Sequence, residues 1–535
     1  MSPGDNSLAL LFKQTARADR GMYYDKDGEM LFIRFDEQYR ESLIMSEQIQ
    51  GLGMRPRFIA AIWMEPSPAC FRAIMAVVLA GGIPVPLHAH STAAETLEIM
   101  HRLEADLLIL TPSLLTASDR PDAWQSSARQ IIHGGITLMV GETGEEWEGR
   151  VKPIRRREWR EYTPPEETAV IFMSSGSTGT PKGIMLSFHN LWSNLFSIHQ
   201  SLQLDDSDSV MITKSLGYCS TLTGEWLLAL HAGMNISLSP GLTHPLQLIA
   251  AVRRMRPTFL CAVPAVMLPL IKSTRWRAED MQSLKKLIVV GAAMPPSLLL
   301  LLQGRLPKVE IMPCYGLTEA APRVTCLPAH WLSSKPESAG RAVPGVELAV
   351  YRDGKPLPAG EVGEIVVKGA NVMLGYYNDE PRTTEVMTPY GLRTMDKGWL
   401  DEDGCLFVTG RADNAFNVAG HLFHPEMLEN VLLSHPAIRE AAAAGVPDDA
   451  TGYRPIAFIV PEEGGLGVET TLLRELRDYC HQRLAAAGRP KEITVIARLP
   501  RTKTGKLDRM EIQRMVEEEY DVNRTRSIPI GENGH

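Results

Sequence analysis

The chain has 535 residues, of which 44% are hydrophobic and 22% charged, with a formal net charge of -8. That length exceeds one ordinary core and implies two or more domains, and the composition is that of a globular protein rather than a disordered one. The negative balance argues against nucleic acid as a partner, because such binding leans on neutralising phosphates. The densest basic run, Arg155-Arg156-Arg157, is followed closely by Glu158 and Glu161 and reads as a solvated connector.

Seven cysteines, Cys70, Cys219, Cys261, Cys314, Cys326, Cys405 and Cys480, are scattered with no CxxC clip. Neither a zinc knuckle nor a redox pair is implied, and an odd, scattered set fits a reducing compartment. The polar start Met1–Asn6 lacks a basic-then-apolar leader. The most apolar stretch, Ile74 to Pro86, is broken by Gly81, Gly82 and Pro84 and is too short for a bilayer. A cytoplasmic protein with no membrane span is expected.

In chain order, Met64 to Leu79 carries helical spacing that ends at Gly81-Gly82, and Ile83 to Pro86 reads as extended. Leu107–Leu110, Ala169–Met173, Val210–Thr213, Thr258–Val263 and Leu287–Val290 are short apolar runs bounded by turn residues, with helical stretches such as Leu246–Arg256 between them. Such alternation predicts an α/β architecture with largely parallel sheets. After about Gly340 the texture changes: Val346–Tyr351, Gly363–Lys368 and Gly404–Val408 alternate like half-exposed antiparallel strands. Beyond Gly410-Arg411-Ala412-Asp413 lies a smaller unit, with helices at Pro425–Leu433 and Leu472–Ala485 and strands at Ala457–Val460 and Glu492–Ile496.

The stretch that carries chemistry is Ser174-Ser175-Gly176-Ser177-Thr178-Gly179-Thr180-Pro181-Lys182-Gly183, directly after the apolar run Ile171-Phe172-Met173. Small hydroxyl residues and glycines let backbone N–H and side-chain O–H groups approach a polyphosphate, and Lys182 supplies countercharge. Pro181 precedes the lysine where the Walker motif requires glycine, so a P-loop of that type is excluded.

This stretch resembles the phosphate loop of the adenylate-forming superfamily: acyl-CoA synthetases, peptide-synthetase adenylation domains and luciferases. Further motifs follow in the same order as in that superfamily. Tyr315-Gly316-Leu317-Thr318-Glu319 resembles its YGxTE motif. The resemblance implies that Tyr315, with Gly316, packs on adenine, Thr318 touches the α-phosphate and Glu319 holds Mg²⁺. Arg393-Thr394-Met395-Asp396 resembles the segment whose aspartate grips the ribose, and Gly410-Arg411-Ala412-Asp413 resembles the hinge, with Arg411 at the nucleotide and Asp413 as pivot. Pro500 to Lys506 resembles the loop bearing the adenylation lysine, Lys506. Asn417-Val418-Ala419-Gly420-His421 resembles the segment of acetyl-CoA synthetase in which Gly420 would line the thiol tunnel.

The resemblance spans almost the whole chain. It implies a large N-terminal domain, 1–412, of two α/β subdomains plus a β-rich subdomain, and a small mobile α+β C-terminal domain, 413–535. It also implies an acid–thiol ligase that uses ATP, leaves AMP, needs Mg²⁺ and passes an acyl group to coenzyme A by domain alternation. The chemistry agrees. Joining a carboxylate to an α-phosphate brings two anions together, which demands positive charge and donors at the transition state.

Amino-acid-activating relatives place an aspartate where this chain has Leu216 to Gly224, a stretch without an acid, so an α-amino acid is disfavoured. Tyr218, Cys219, Val263, Gly291 and Ala292 are the candidate acyl pocket, whose small or apolar lining fits an apolar or cyclic carboxylic acid. Two alternatives stay open. Arg483, Arg489 and Lys491 could serve CoA phosphates or an acidic carrier protein. Met395, where the superfamily usually has glycine, leaves room for a member confined to the second half-reaction.

Overall fold

The computed structural model describes residues 7–26, 28–111, 114, 136–140, 147–148, 162–174, 181–241, 245–411, 414, 416–418, 421–448, 452–462, 469–485, 488–502 and 507–526. The expected phosphate-loop residues Ser175, Gly176, Ser177, Thr178 and Gly179, together with the hinge Asp413, Gly420 and Lys506, lie outside these, as does the basic run at Arg155.

The apolar runs become strands because they are buried on both faces. Leu107–Leu110, Val210–Ile212 and Phe259–Ala262 are almost wholly enclosed. Strands Gly21–Lys26, Asn235–Leu238, Ser209–Ile212, Phe259–Ala262, Lys286–Val289 and Glu310–Gly316 lie side by side in parallel. A second, mostly parallel sheet runs Ile83–Pro86, Ile59–Trp63, Leu107–Leu110, Ile136–Val140, with Trp147–Glu148 antiparallel at its edge.

Helix Pro68–Leu79 packs beside this sheet. Ser67 caps it by accepting from the Cys70 N–H, Pro68 occupies the first turn, and Gly81 follows in the left-handed region at φ 82°. The helix therefore starts four residues later than the expected Met64, because Ser67-Pro68 is a stronger start signal than apolar spacing.

One expectation needs correction. The strand before the phosphate loop, Thr168–Ser174, is not in a parallel sheet. It pairs antiparallel with Lys182–Ser187, and Gly375–Tyr376 adds a third strand. Ser174 and Lys182 are paired in register, so the glycine- and hydroxyl-rich stretch is the connection of a hairpin.

Strand Glu310–Gly316 is where the architecture switches. One edge is parallel to Lys286–Val289, while its C-terminal half runs antiparallel to Arg323–Cys326. From there the sheet continues antiparallel through Gly340–Ala342, Cys405–Arg411, Gly391–Leu400, Gly363–Gly369 and Val346–Arg352. Tyr315 and Gly316 thus stand at the C-terminal edge of the parallel strands, where open α/β sheets leave a crevice for ligands.

The C-terminal unit is a separate sheet built on the long hairpin Ile438–Asp448 and Gly452–Pro461, with Glu492–Val495 parallel to the second arm. Helices Pro425–Leu433 and Glu469–Arg483 contribute its apolar core. It touches the larger unit through Lys272, whose Nζ donates to the Ile438 carbonyl and lies 3.6 Å from Glu462.

Candidate active site

The turn after strand Glu310–Gly316 is fixed by close packing. A Cβ on Gly316 would sit 2.1 Å from the Pro322 carbonyl oxygen, so no larger residue fits beside Tyr315. Thr318 and Glu319 begin the short 3₁₀ turn Thr318–Ala320. The Met373 N–H donates to the Glu319 carbonyl at 2.9 Å, anchoring the turn to the segment before Gly375–Tyr376.

That anchor brings in a residue the motifs do not announce. The Tyr376 O–H donates to Glu319 Oε1 at 3.0 Å, and Lys182 Nζ lies 5.3 Å from the Tyr376 ring centroid. Burial and the facing Glu319 carboxylate push the Tyr376 phenol far up, so it stays a donor. Tyr376 is separated from Glu319 by 57 residues, and only the three-stranded sheet, which sets Tyr376 opposite Ile184, brings it in.

Lys182 itself is held below its ordinary range, first by burial and then by the neighbouring Arg382 guanidinium, against the opposing pull of Glu319. A lysine crowded by another cation is matched to a ligand with several negative charges. Ser174 faces it across the hairpin base.

Asp396 is reached from the antiparallel sheet. It pairs in register with Arg411, whose Nη1 lies 3.6 Å from Asp396 Oδ1. Its other oxygen accepts the Tyr315 O–H at 2.5 Å. Burial first, then Asp396, raises the Tyr315 phenol well above its usual range. Met395, immediately before, has φ 63°, the left-handed region. This is the special backbone anticipated where the superfamily has glycine, and methionine adopts it without displacing Asp396 from Tyr315.

The candidate pocket residues follow three neighbouring parallel strands, Ser209–Ile212, Phe259–Ala262 and Lys286–Val289. Tyr218 precedes a continuous helical stretch, Cys219–Ala232, whose middle, Leu222–Leu227, is π-helical. Such a bulge re-aims side chains and is frequent at functional sites. Tyr218 packs on His88 with ring centroids 4.3 Å apart, and His88 is a second neighbour that the sequence motifs do not name. The Cys219 Sγ is 3.7 Å from Thr223 Oγ1 and buried, so it is a wall rather than a reactive thiol, with burial raising it to about 12. Gly291 is in the left-handed region at φ 89°, and a Cβ there would stand 3.4 Å from Val263 Cγ1. Ala292 beside it is exposed.

Among the described residues no cluster of three or more His, Cys, Asp or Glu side chains could hold a metal alone. Glu319 fits a magnesium ion in the other manner, one carboxylate with the remaining positions filled by phosphate oxygens and water. Of the candidates for CoA phosphates, Arg489 is engaged, since its guanidinium caps a helix by donating to the Leu484 and His481 carbonyls. Arg483 stacks on Tyr479 at 3.6 Å.

Comparison with known proteins identifies the family. The profile of the AMP-binding enzyme family matches residues 16–377, and that of the AMP-binding enzyme C-terminal domain matches residues 427–506. A 2-succinylbenzoate–CoA ligase of Bacillus cereus is 28% identical over 487 residues, covering 91% of this chain and 94% of the relative. The enzyme of the same name from Bacillus cereus strain Q1 is 33% identical over 354 residues, 66% of this chain and 71% of the relative. Among solved structures, the o-succinylbenzoate CoA synthetase of Bacillus subtilis with its acyl-adenylate intermediate superposes with TM-score 0.79 at 26% identity, covering 94% of this chain and 97% of that one. An anthranilate CoA ligase with anthranoyl-AMP shares the fold, with TM-score 0.82 at 22% identity over 96% and 98% of the two chains. Matched along both units, the chain belongs to the AMP-binding enzyme family, within the adenylate-forming superfamily its motifs resemble.

Proposed function

We propose that this protein is an AMP-forming acid–thiol ligase that activates a cyclic carboxylic acid as its acyl-adenylate and transfers the acyl group to the thiol of coenzyme A. The observation that carries the reading is the convergence of Lys182, Tyr376 and Glu319 beside the Tyr315–Asp396–Arg411 constellation. It provides a nucleoside-gripping acid and a polyphosphate-facing cation on either side of one strand end.

Tyr315 and Gly316 offer a flat surface for adenine, and Asp396 accepts from the ribose hydroxyls while Arg411 fixes its orientation. Ser174 to Gly179 and Lys182 hold the β- and γ-phosphates, and Thr318 donates at the α-phosphate. Glu319 would hold magnesium, which would neutralise charge on the leaving pyrophosphate. Tyr376 keeps Glu319 pointed at that position. The acid enters between Tyr218 and Val263–Gly291–Ala292, with its carboxylate toward the α-phosphorus. Lys506 neutralises the anionic oxygens that develop there. After pyrophosphate leaves, the C-terminal unit, 413–535, turns about Asp413 away from the larger unit, 1–412. Lys506 withdraws and Gly420 lines the path of the thiol. A cytoplasmic location is part of this reading, and the seven free cysteines support a reducing compartment. No helix among the described residues is long and apolar enough to cross a membrane.

The acceptor is tested by mass spectrometry of products with CoA and with a holo-carrier protein. A CoA thioester supports the reading, and acylation of the carrier arm alone contradicts it.

A further inference from the structure

Two of the free cysteines, Cys314 and Cys326, oppose each other on antiparallel strands, and the adenylation chemistry uses neither. Cys314 directly precedes Tyr315 on strand Glu310–Gly316, and Cys326 ends strand Arg323–Cys326. The segment between them therefore carries Tyr315, Gly316, Thr318 and Glu319, and the two thiols stand at its base.

Register decides what the pair can do. The Leu327 N–H donates to the Pro313 carbonyl at 2.8 Å, so these two residues form a hydrogen-bonded pair. One step along the ladder, Cys314 and Cys326 are the non-hydrogen-bonded pair, the kind whose Cα atoms approach to about 4.5 Å. That separation lies within the span of a disulfide. Cysteines on neighbouring strands stand too far off. In the same row Cys326 opposes Arg341 and Arg341 opposes Cys405, which puts Cys405 two strands, about 10 Å, from Cys326. On the other side Cys261 is level with Ile288 and Met312, again two strands away.

The surroundings set the reactivity. Burial raises the Cys219 and Cys261 thiols to about 12, which leaves them inert. Burial raises the Cys314 thiol too, yet the hydrogen bond with Cys326 and the Arg323 guanidinium outweigh it and bring it below the ordinary cysteine range. Cys326 is pushed the opposite way, by its hydrogen bond with Cys314 and then by burial. Cys314 is half-buried and Cys326 buried, so a small oxidant meets Cys314 first. An accessible thiolate against a second thiol is the arrangement of an attacking sulfur beside a resolving one.

We propose that Cys314 and Cys326 are a redox-active dithiol that closes reversibly to a disulfide and, when closed, weakens nucleotide binding. The oxidant is hydrogen peroxide. The Cys314 thiolate attacks one peroxide oxygen, the O–O bond breaks, and the departing hydroxide takes up the proton that Cys314 had released. The Cys326 sulfur then attacks the resulting sulfenic sulfur, the S–O bond breaks, and that oxygen leaves as water with the Cys326 proton. A dithiol reductant returns the two electrons and two protons. In a reducing compartment such a bond is transient and reports oxidant.

Closure draws the two Cβ atoms from about 5 Å to roughly 3.8 Å, which pulls on the strand end that carries Tyr315. Tyr315 holds Asp396 across 2.5 Å, so that movement disturbs the pair assigned to the nucleoside. From the ligase reading above, the proposal needs only that Tyr315 and Asp396 hold the nucleotide.

The test treats the reduced full chain with a small excess of hydrogen peroxide and then removes the oxidant. Intact mass should fall by about 2 Da, the two hydrogens lost on closure. Trypsin cuts at Arg323, between the cysteines, so the digest should hold two peptides joined until dithiothreitol separates them. Calorimetric titration with AMP should show about 10-fold weaker binding by the oxidised chain, the scale of one lost hydrogen bond, restored by dithiothreitol. Cys314→Ser and Cys326→Ala should each bind AMP equally before and after peroxide, and either variant answers the question if the other does not fold. Absence of joined peptides, joined peptides with unchanged AMP affinity, or an equal loss of affinity in the variants overturns the proposal. No AMP binding by the reduced wild type would sink the ligase reading and with it the nucleotide effect, while the joined peptides alone decide the dithiol.

Discussion

Tyr315 donates its phenolic hydroxyl to Asp396 across 2.5 Å, joining the end of a parallel strand to the antiparallel sheet that starts beside it. Asp396 also has Arg411 at 3.6 Å, so its two oxygens are oriented before any nucleotide arrives. Asp396→Asn keeps the shape but removes a charged acceptor, and should raise KM for ATP about 10- to 100-fold. Tyr315→Phe removes only the hydroxyl and should cost less. Nucleotide titrations at saturating acid check the order, and a larger loss in Tyr315→Phe would contradict it.

Met395 sits at φ 63°, a conformation that disfavours a side chain. The left-handed region costs a non-glycine residue roughly 1–2 kcal/mol, and glycine gives part of that back through a freer unfolded chain. Met395→Gly should therefore stabilise the protein by up to about 1 kcal/mol. Denaturant midpoints with unchanged slopes would show it. A destabilised variant would mean that the Met395 side chain contributes packing worth more than the strain.

Glu319 accepts from Tyr376, whose ring has Lys182 beside it. Glu319→Gln should shift the magnesium dependence of turnover to higher concentration and lower kcat about 100-fold or more, the scale of losing one electrostatic contact at a transition state. Tyr376→Phe should produce a milder shift in the same direction, since the carboxylate remains but is no longer held. Unchanged magnesium dependence in Glu319→Gln would remove Glu319 from the metal.

His424 is buried at the junction of the two units, where a Cβ on Gly410 would meet its Nδ1 at 2.8 Å. Burial holds its pKa below the ordinary histidine range, with Glu426 pulling the other way. Because the folded value is depressed, the unfolded chain binds more protons below about pH 6.5, and stability should fall as the pH drops through that range. His424→Gln should flatten this part of the stability profile. An equally steep loss in the variant would assign the acid sensitivity elsewhere.

Much of the fold was legible because buried parallel strands leave short apolar runs between turn residues, as at Leu107–Leu110 and Phe259–Ala262. The hairpin at Thr168–Ser174 was not, since an apolar run buried on both faces reads the same whether its neighbour runs parallel or antiparallel. Tyr376 and His88 escaped for a different reason. Each meets a partner far away in the chain, and neither has a local spacing that marks it. The departure at Met395 was readable as a motif mismatch, and the backbone angle supplies its physical content.

The central claim is tested most directly by exchange of labelled pyrophosphate into ATP with a panel of cyclic carboxylic acids, magnesium and the full chain. The expected result is acid-dependent exchange that Lys506→Ala abolishes, while the variant still forms a CoA thioester from the matching synthetic acyl-adenylate. Absence of exchange with every cyclic acid tried, or undiminished exchange in Lys506→Ala, would contradict it.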